Sequence, residues 1–321
     1  MSASLGMRSE GIEKGVAMLG LGKHKQVTEY EAEGEIDRVY YEIKQTLRVT
    51  GINLNFRVWA GYKNFLPAMW EAVRPNVETR IFEDAADRVR AEAVSAAEAL
   101  GKLDAASKVH LGESQIYQIK SALDLYHYIN PKLLVLTSAV RLALVGEQIG
   151  QESKPGMGIE LIERGVPLMY PMEMVSEEVE DKRTHDLFED IKRTLSLSSI
   201  NSDYRTLALW PNYLAAAWER LKPTIQGDEY VHASDRLREI SRTRARALPY
   251  PILLSSERVE ELGEDPHKVM KTIEEFERLL PSLILNIALF ELDWRSPEVL
   301  VRSPFPAAPR RSPGSESGGA Q

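Results

Sequence analysis

Apolar residues recur along this chain at intervals of three and four. Between Glu33 and Arg48 they fall at Ile36, Val39, Tyr40, Ile43 and Leu47, one stripe of an amphipathic helix. The polar loop Thr50–Asn55 ends that helix, and the pattern predicts a second from Phe56 to Val73, stopped near Pro75. A third runs from Glu83 to Leu100, rich in the good helix formers Ala, Glu and Arg. After a connection at 101–112, Ser114–Tyr128 reads as a helix that Ile129-Asn130-Pro131 breaks, with another helix starting there and running to about Val145. Ile149–Glu180 changes character, with Gly150, Pro155, Gly156, Gly158, Gly165, Pro167 and Pro171, and reads as a long linker. The pattern then restarts: helices are expected over Val179–Leu197, Tyr204–Leu221 and Tyr230–Ala247. A short helix over Ser255–Leu262 and helices over His267–Leu279 and Pro281–Leu292 complete the set. Residues 1–30 read as a loosely attached arm, and the Pro-, Ser- and Gly-rich stretch 303–321 as a disordered tail.

The restart is a repeat. At a constant offset of 148, residues 43–75 align with 191–223 without a gap, and fourteen of the thirty-three pairs are identical. The matches include Ile52/Ile200, Asn53/Asn201, Arg57/Arg205, Trp70/Trp218 and Pro75/Pro223, which shared helical composition alone would not supply. Two copies are too few for a solenoid. The expected architecture is all-α: two tandem helical repeats, residues 31–148 and 179–302, joined by the linker 149–178 into an intramolecular pseudo-dimer with a pocket between the copies.

Composition narrows the function. Of 321 residues, 43% are hydrophobic and 27% charged, a balance that suits a packed globular chain. The net charge of −8 disfavours a nucleic-acid partner. There is no cysteine, which excludes disulfides, thiolate nucleophiles and Cys-based metal sites, and is compatible with the cytoplasm. Met1–Lys25 has no continuous apolar run, so no secretory signal is expected, and the most apolar stretches are too short and interrupted to span a membrane. The six histidines show no metal-ligand spacing, and with no cysteine no metal is expected. The arginines at 236, 238, 242, 244 and 246 read as a solvated helix face that could also lend positive potential to an anionic substrate.

The candidate chemistry lies where the copies differ. Asp203 stands opposite Asn55, Ser202 opposite Leu54, and Asn130 opposite Leu280. Asp203 is well placed to cap the helix that follows it, and Asn130 to cap the helix at Pro131. The alternative is a one-sided active site, with Asp203 as a general base and Asn130 orienting a water.

The segment Ser202-Asp203-Tyr204 with Ala208-Leu209-Trp210-Pro211 resembles the group I, DehI-type 2-haloacid dehalogenases. So do Thr46-Leu47-Arg48-Val49, Gly61-Tyr62 with Leu66-Pro67, Asn130-Pro131-Lys132 and Ser303-Pro304-Phe305-Pro306, in the family's order over roughly residues 33–306. The resemblance implies an all-α duplicated fold and hydrolysis of short 2-haloacids by direct attack of water, with inversion and without metal or cofactor. It assigns water activation to Asp203, water positioning to Asn130 and a pocket role to Ser202. Family members carry bulky aromatics in the first-repeat loop, where this chain has Gly51 and Leu54, and an aromatic near the second-repeat pocket that is Phe276 here. Asn201, two residues before the base, narrows the pocket if it points inward and so bears on enantiomer choice. The implied partners are a small anionic 2-haloacid and water, and a homodimer is compatible with the sequence. Two other readings stay open: a relative that binds a small carboxylic acid without turnover, and a non-enzymatic helical scaffold.

Overall fold

The structure is a computed structural model that describes residues 24–150, 158–171 and 173–311. The arm through residue 23 and the tail from residue 312 lie outside the described residues. The chain forms α1 (Gly34–Leu47), α2 (Leu54–Trp59), α3 (Phe65–Val77), α4 (Arg80–Leu100) and α5 (Glu113–Leu144). There follow α6 (Lys182–Leu195), α7 (Ser202–Leu207), α8 (Pro211–Ile225), α9 (Asp228–Arg246), α10 (Ser256–Glu261), α11 (Pro266–Glu291) and α12 (Pro297–Leu300). Among the described residues there is no strand, only the isolated bridges Thr79–Leu161 and Ile162–Pro309. No described helix is long and apolar enough to cross a membrane.

The centre of the fold is α5 packed against α11. Every residue of α5 from Leu125 to Val140 is buried, as is every residue of α11 from Leu279 to Glu291 except Ser282. Helices apolar on all sides belong in a core. The shorter helices, including the stripe of α1 at Val39, Tyr40, Ile43 and Leu47, pack around this pair.

Two sequence expectations change here. Asn130-Pro131 and Leu280-Pro281 interrupt nothing: α5 and α11 each run through their proline. Pro131 has no N–H to offer the carbonyl of His127 one turn earlier. In its place the fully buried Arg90 of α4 donates, Nε to His127 O at 2.9 Å and Nη2 to Tyr128 O at 3.1 Å. Breaks that periodicity missed occur instead at 60–64 and 208–210, so that each expected second helix is a one-turn piece followed by a longer helix. Those longer helices pass Pro75 and Pro223, and the orphaned carbonyls belong to the exposed Glu71 and Glu219, where water can take them.

Contacts also recur 148 residues apart. α1 and α6 are each 14 residues long and end in left-handed non-glycine caps, Arg48 (φ 62°) and Ser196 (φ 55°). Trp70 Nε1 donates to Glu42 at 3.1 Å, and Trp218 Nε1 to Asp190 at 2.9 Å. Ile52 N donates to Glu29 Oε1 at 2.8 Å, and Ile200 N to Glu177 Oε1 at 3.1 Å. Val27 N donates to Arg57 O at 3.0 Å, and Val175 N to Arg205 O at 3.1 Å.

These last contacts belong to two straps, residues 24–29 and 173–177, that cross α2 and α7. The first comes so close that a Cβ on Gly61 would stand 2.6 Å from the Lys25 carbonyl oxygen. Residues 24–29 are therefore docked rather than loose, while Tyr30 is exposed. Part of the expected tail is also placed: Phe305 packs edge-on against Tyr128, and Ala307 is buried.

Candidate active site

A cavity of about 160 Å³ lies where α2, α5, α7 and α11 meet. It is well below the roughly 300–1,000 Å³ of pockets for drug-sized ligands, and suits a small acid with water. One wall is apolar, made by Leu54, Leu133, Phe276, Leu279, Leu280 and Leu283. The polar lining includes Asn130, Asn201, Ser202, Asp203, Arg57 and Arg205.

Asp203 sits in the first turn of α7, and only 3% of it is exposed. It does not cap that helix; Asn201 holds the cap position, without a side-chain cap bond. Asn130, 4% exposed in mid-α5, donates from Nδ2 to Asp203 Oδ1 at 2.9 Å. The capping reading therefore fails for both residues, because the cap belongs to a neighbour in one case and there is no helix start in the other. Burial pushes the Asp203 carboxyl up to about 6, against the opposing pull of the Asn130 hydrogen bond and its own backbone N–H. No cation contributes to that shift. A carboxylate that is desolvated yet free of an ion pair keeps its basicity.

The rest of α7 fixes this geometry. Tyr126, one turn before Asn130, shares a 2.7 Å hydrogen bond with Thr206, whose hydroxyl also donates to Glu173 O at 2.8 Å. Tyr204 accepts from Asn286 of α11 at 2.8 Å and lies edge-on to Trp218 and Phe290. A six-residue helix has little stability of its own. These anchors to α5 and α11 hold Asp203 in place.

The other half of the cavity is built differently. Asn55, 148 residues before Asp203, is 2% exposed, and neither atom of its amide finds a hydrogen-bond partner among the described residues. The apolar Leu280 stands where Asn130 has its counterpart by sequence. Asn201 Oδ1 is likewise buried and unpartnered. Phe276 reaches the cavity braced edge-on against Trp59 at 5.9 Å. Gly51 does not line the cavity: a Cβ there would face Glu29 Oε1, 3.6 Å away, because the first strap covers the loop.

Sequence reasoning missed the cavity's cations. Arg57 and Arg205 line it, with Gln26 and Glu177 from the two straps. The signal was present, since each arginine is an identical pair in the repeat and falls two residues after the Asn/Asp difference. The arginines of α9 lie elsewhere: Arg236, Arg238, Arg242 and Arg246 are ion-paired with Glu92, Asp235, Glu277 and Glu147. Among the described residues no group of three histidines or carboxylates could hold a metal.

The chain is 33% identical over 227 residues to a configuration-inverting 2-haloacid dehalogenase of Pseudomonas sp. (strain 113), a match spanning 69% of this chain and 74% of that protein. The family model described as halocarboxylic acid dehydrogenase DehI matches residues 50–204. This chain belongs to the DehI family. Within the family it is 26% identical to an (R)-2-haloacid dehalogenase of Pseudomonas putida, over 83% of this chain and 91% of that one. The fold agrees with a solved D-2-haloacid dehalogenase in complex with L-LA, at a TM-score of 0.76 and 27% identity, over 84% of this chain and 96% of the other. A mutant D-2-haloacid dehalogenase superposes at a TM-score of 0.77 with 26% identity, over 84% and 95% of the two chains.

Proposed function

We propose that this DehI-family protein is a 2-haloacid dehalogenase, a hydrolase acting on carbon–halide bonds, with Asp203 as its general base. The observation that carries the residue assignment is the buried Asn130–Asp203 pair facing a cavity of small-acid size. Asp203 takes a proton from water, and the water oxygen bonds to C2 of the substrate from the side opposite the halogen. The carbon–halogen bond breaks with its electron pair, leaving halide and a 2-hydroxy acid of inverted configuration. The proton on Asp203 then passes to solvent. Asn130 supports this by holding Asp203 Oδ1, which leaves Oδ2 for the water. Ser202 and Asn201 bound the substrate beside the base, and Leu54 and Phe276 with the α11 leucines give its alkyl group an apolar wall.

The contacts repeated at a spacing of 148 support a pseudo-dimer of two helical repeats, with this cavity at their junction. In that reading Asp203 and Asn130 come from different repeats, and Asn55 and Leu280 are their inactive counterparts.

The deciding test is halide release from the separate (R)- and (S)-2-chloropropionates, with chiral analysis of the lactate formed. The expected result is chloride release with one inverted lactate per reacting enantiomer. No chloride from either enantiomer, or lactate of retained configuration, sinks the proposal. A second expectation concerns Asn201, which stands in the cavity two residues before the base. Asn201→Ala enlarges the pocket and should bring kcat/KM for the two enantiomers closer together; an unchanged ratio would remove Asn201 from enantiomer choice.

A further inference from the structure

The two cavity arginines differ in one respect that their shared sequence hides. Arg205 Nε donates to the carbonyl of Val175 on its strap at 2.8 Å. The matching bond for Arg57 would go to the carbonyl of Val27. That carbonyl instead accepts from the Tyr40 hydroxyl, at 2.7 Å. Tyr40 is replaced by Phe188 at the matching place in the second half, and a phenyl ring has no hydroxyl with which to compete. The result is that Arg57 Nε is buried without a hydrogen-bond partner, and the guanidinium makes no ion pair with the described residues. The nearest carboxylate on the first strap, Glu29, is held by Lys44 at 2.7 Å and by the backbone of Ile52 at 2.8 Å. Burial and the neighbouring charge of Arg205 both push the Arg57 guanidinium below its ordinary value. Arginine nonetheless keeps its proton, so Arg57 brings to the cavity wall a positive charge that no described carboxylate meets in a direct ion pair.

We infer that Arg57 binds the carboxylate of the substrate, and that Tyr40, which does not line the cavity, is the positioning residue that keeps Arg57 free to do so. An arginine fork matches the two oxygens of a carboxylate, and a charge-assisted bond in a desolvated site is among the stronger polar contacts available. It stands on the cavity wall away from any bond to Asp203, so the substrate acid is attracted without quenching the base. The same site therefore selects acids and rejects neutral amides and esters of the same shape.

This inference rests on the proposed function for the identity of the ligand, but its test has a binding arm that needs no turnover. Wild type, Arg57→Gln, Arg57→Lys and Tyr40→Phe are compared by calorimetric binding of 2-hydroxypropionate and of the neutral 2-hydroxypropanamide. KM and kcat for 2-chloropropionate are measured alongside. Wild type is expected to prefer the acid over the amide, and Arg57→Gln to lose that preference with a rise in KM of roughly 10- to 100-fold. Arg57→Lys should fall between the two. In Tyr40→Phe the Val27 carbonyl is released and recaptures Arg57, so KM rises several-fold, kcat stays within about twofold, and amide binding is unchanged. A general loosening of the fold would move amide binding as well. Arg57→Gln or Tyr40→Phe binding the acid as tightly as wild type overturns the inference, whatever the halide assay shows. If Arg57→Gln does not fold, Arg57→Lys and Tyr40→Phe decide it on the same criterion. Acid binding that depends on Arg57 in a protein that releases no halide would instead leave this inference standing and remove the dehalogenase reading.

Discussion

Asp203→Asn is expected to lower halide release by about 10²- to 10⁴-fold, the usual contribution of a general base, while leaving the protein at least as stable as wild type. The asparagine carbonyl can still accept the bond from Asn130, so the side chain keeps its place and loses only its basicity. The pH dependence has a definite sign. With its carboxyl raised to about 6, Asp203 is protonated and idle below that pH, and kcat/KM should climb through pH 6 to a plateau. Stability runs the other way. An unfolded aspartate loses its proton near pH 3.9, whereas the folded one holds it to about 6. Between those values the folded state binds the extra proton, so stability falls as pH rises and the loss is complete above about pH 6. A shift of this size corresponds to about 3 kcal/mol of stability given up at neutral pH. Asp203→Asn should recover part of it at pH 7 and flatten the dependence between pH 4 and 6. Chemical denaturation across that range, beside a chloride assay, reads both effects. A variant that still releases chloride at the wild-type rate would remove Asp203 from the chemistry.

Arg90→Met should cost about 1–3 kcal/mol, the toll of leaving a buried acceptor without its donor. Arg90 is entirely buried, serves two carbonyls of α5 and pairs with Asp87. Methionine fills similar space and donates nothing, so the His127 and Tyr128 carbonyls lose their donor. Pairing it with Pro131→Ala supplies the missing test. An alanine at 131 brings back the N–H that reaches His127 O, so the double variant should be more stable than the sum of the two single changes allows. Urea denaturation of the four proteins gives the coupling. Strict additivity would show that Arg90 does not stand in for the missing helical bond. Because Asn130 immediately precedes Pro131, the same cycle assayed for chloride release measures how far the helix repair positions the water site.

The sequence told most about the helices whose burial is one-sided. α1, α4 and α9 show clean stripes because one face meets the core and the other meets water. It told least where burial is complete. Within α5 and α11 a segment buried on every side carries no clear period, so the prolines dominated the reading and each helix was divided in two. Arg90, about forty residues away, supplies the donor that Pro131 lacks, and no local pattern contains that contact. The site divides in the same way. Asp203, Asn130 and Ser202 of the proposed site were singled out because the two halves of the chain differ at those places. Arg57 was not, because the halves agree there; its difference comes from Tyr40 facing Phe188, and it becomes visible only once the two carbonyls they compete for are located.

Asn55 faces the cavity that Asp203 faces. A carboxylate at position 55 would share about 160 Å³ with Asp203. Like charges in one small chamber raise each other's pKa, while Arg57 and Arg205 on the same wall work the other way. On the proposed reading of two repeats around one chamber, the neutral amide at 55 leaves Asp203 without a second carboxylate from the matching helix. Asn55→Asp would then perturb the titration of Asp203 without touching the Asn130–Asp203 hydrogen bond.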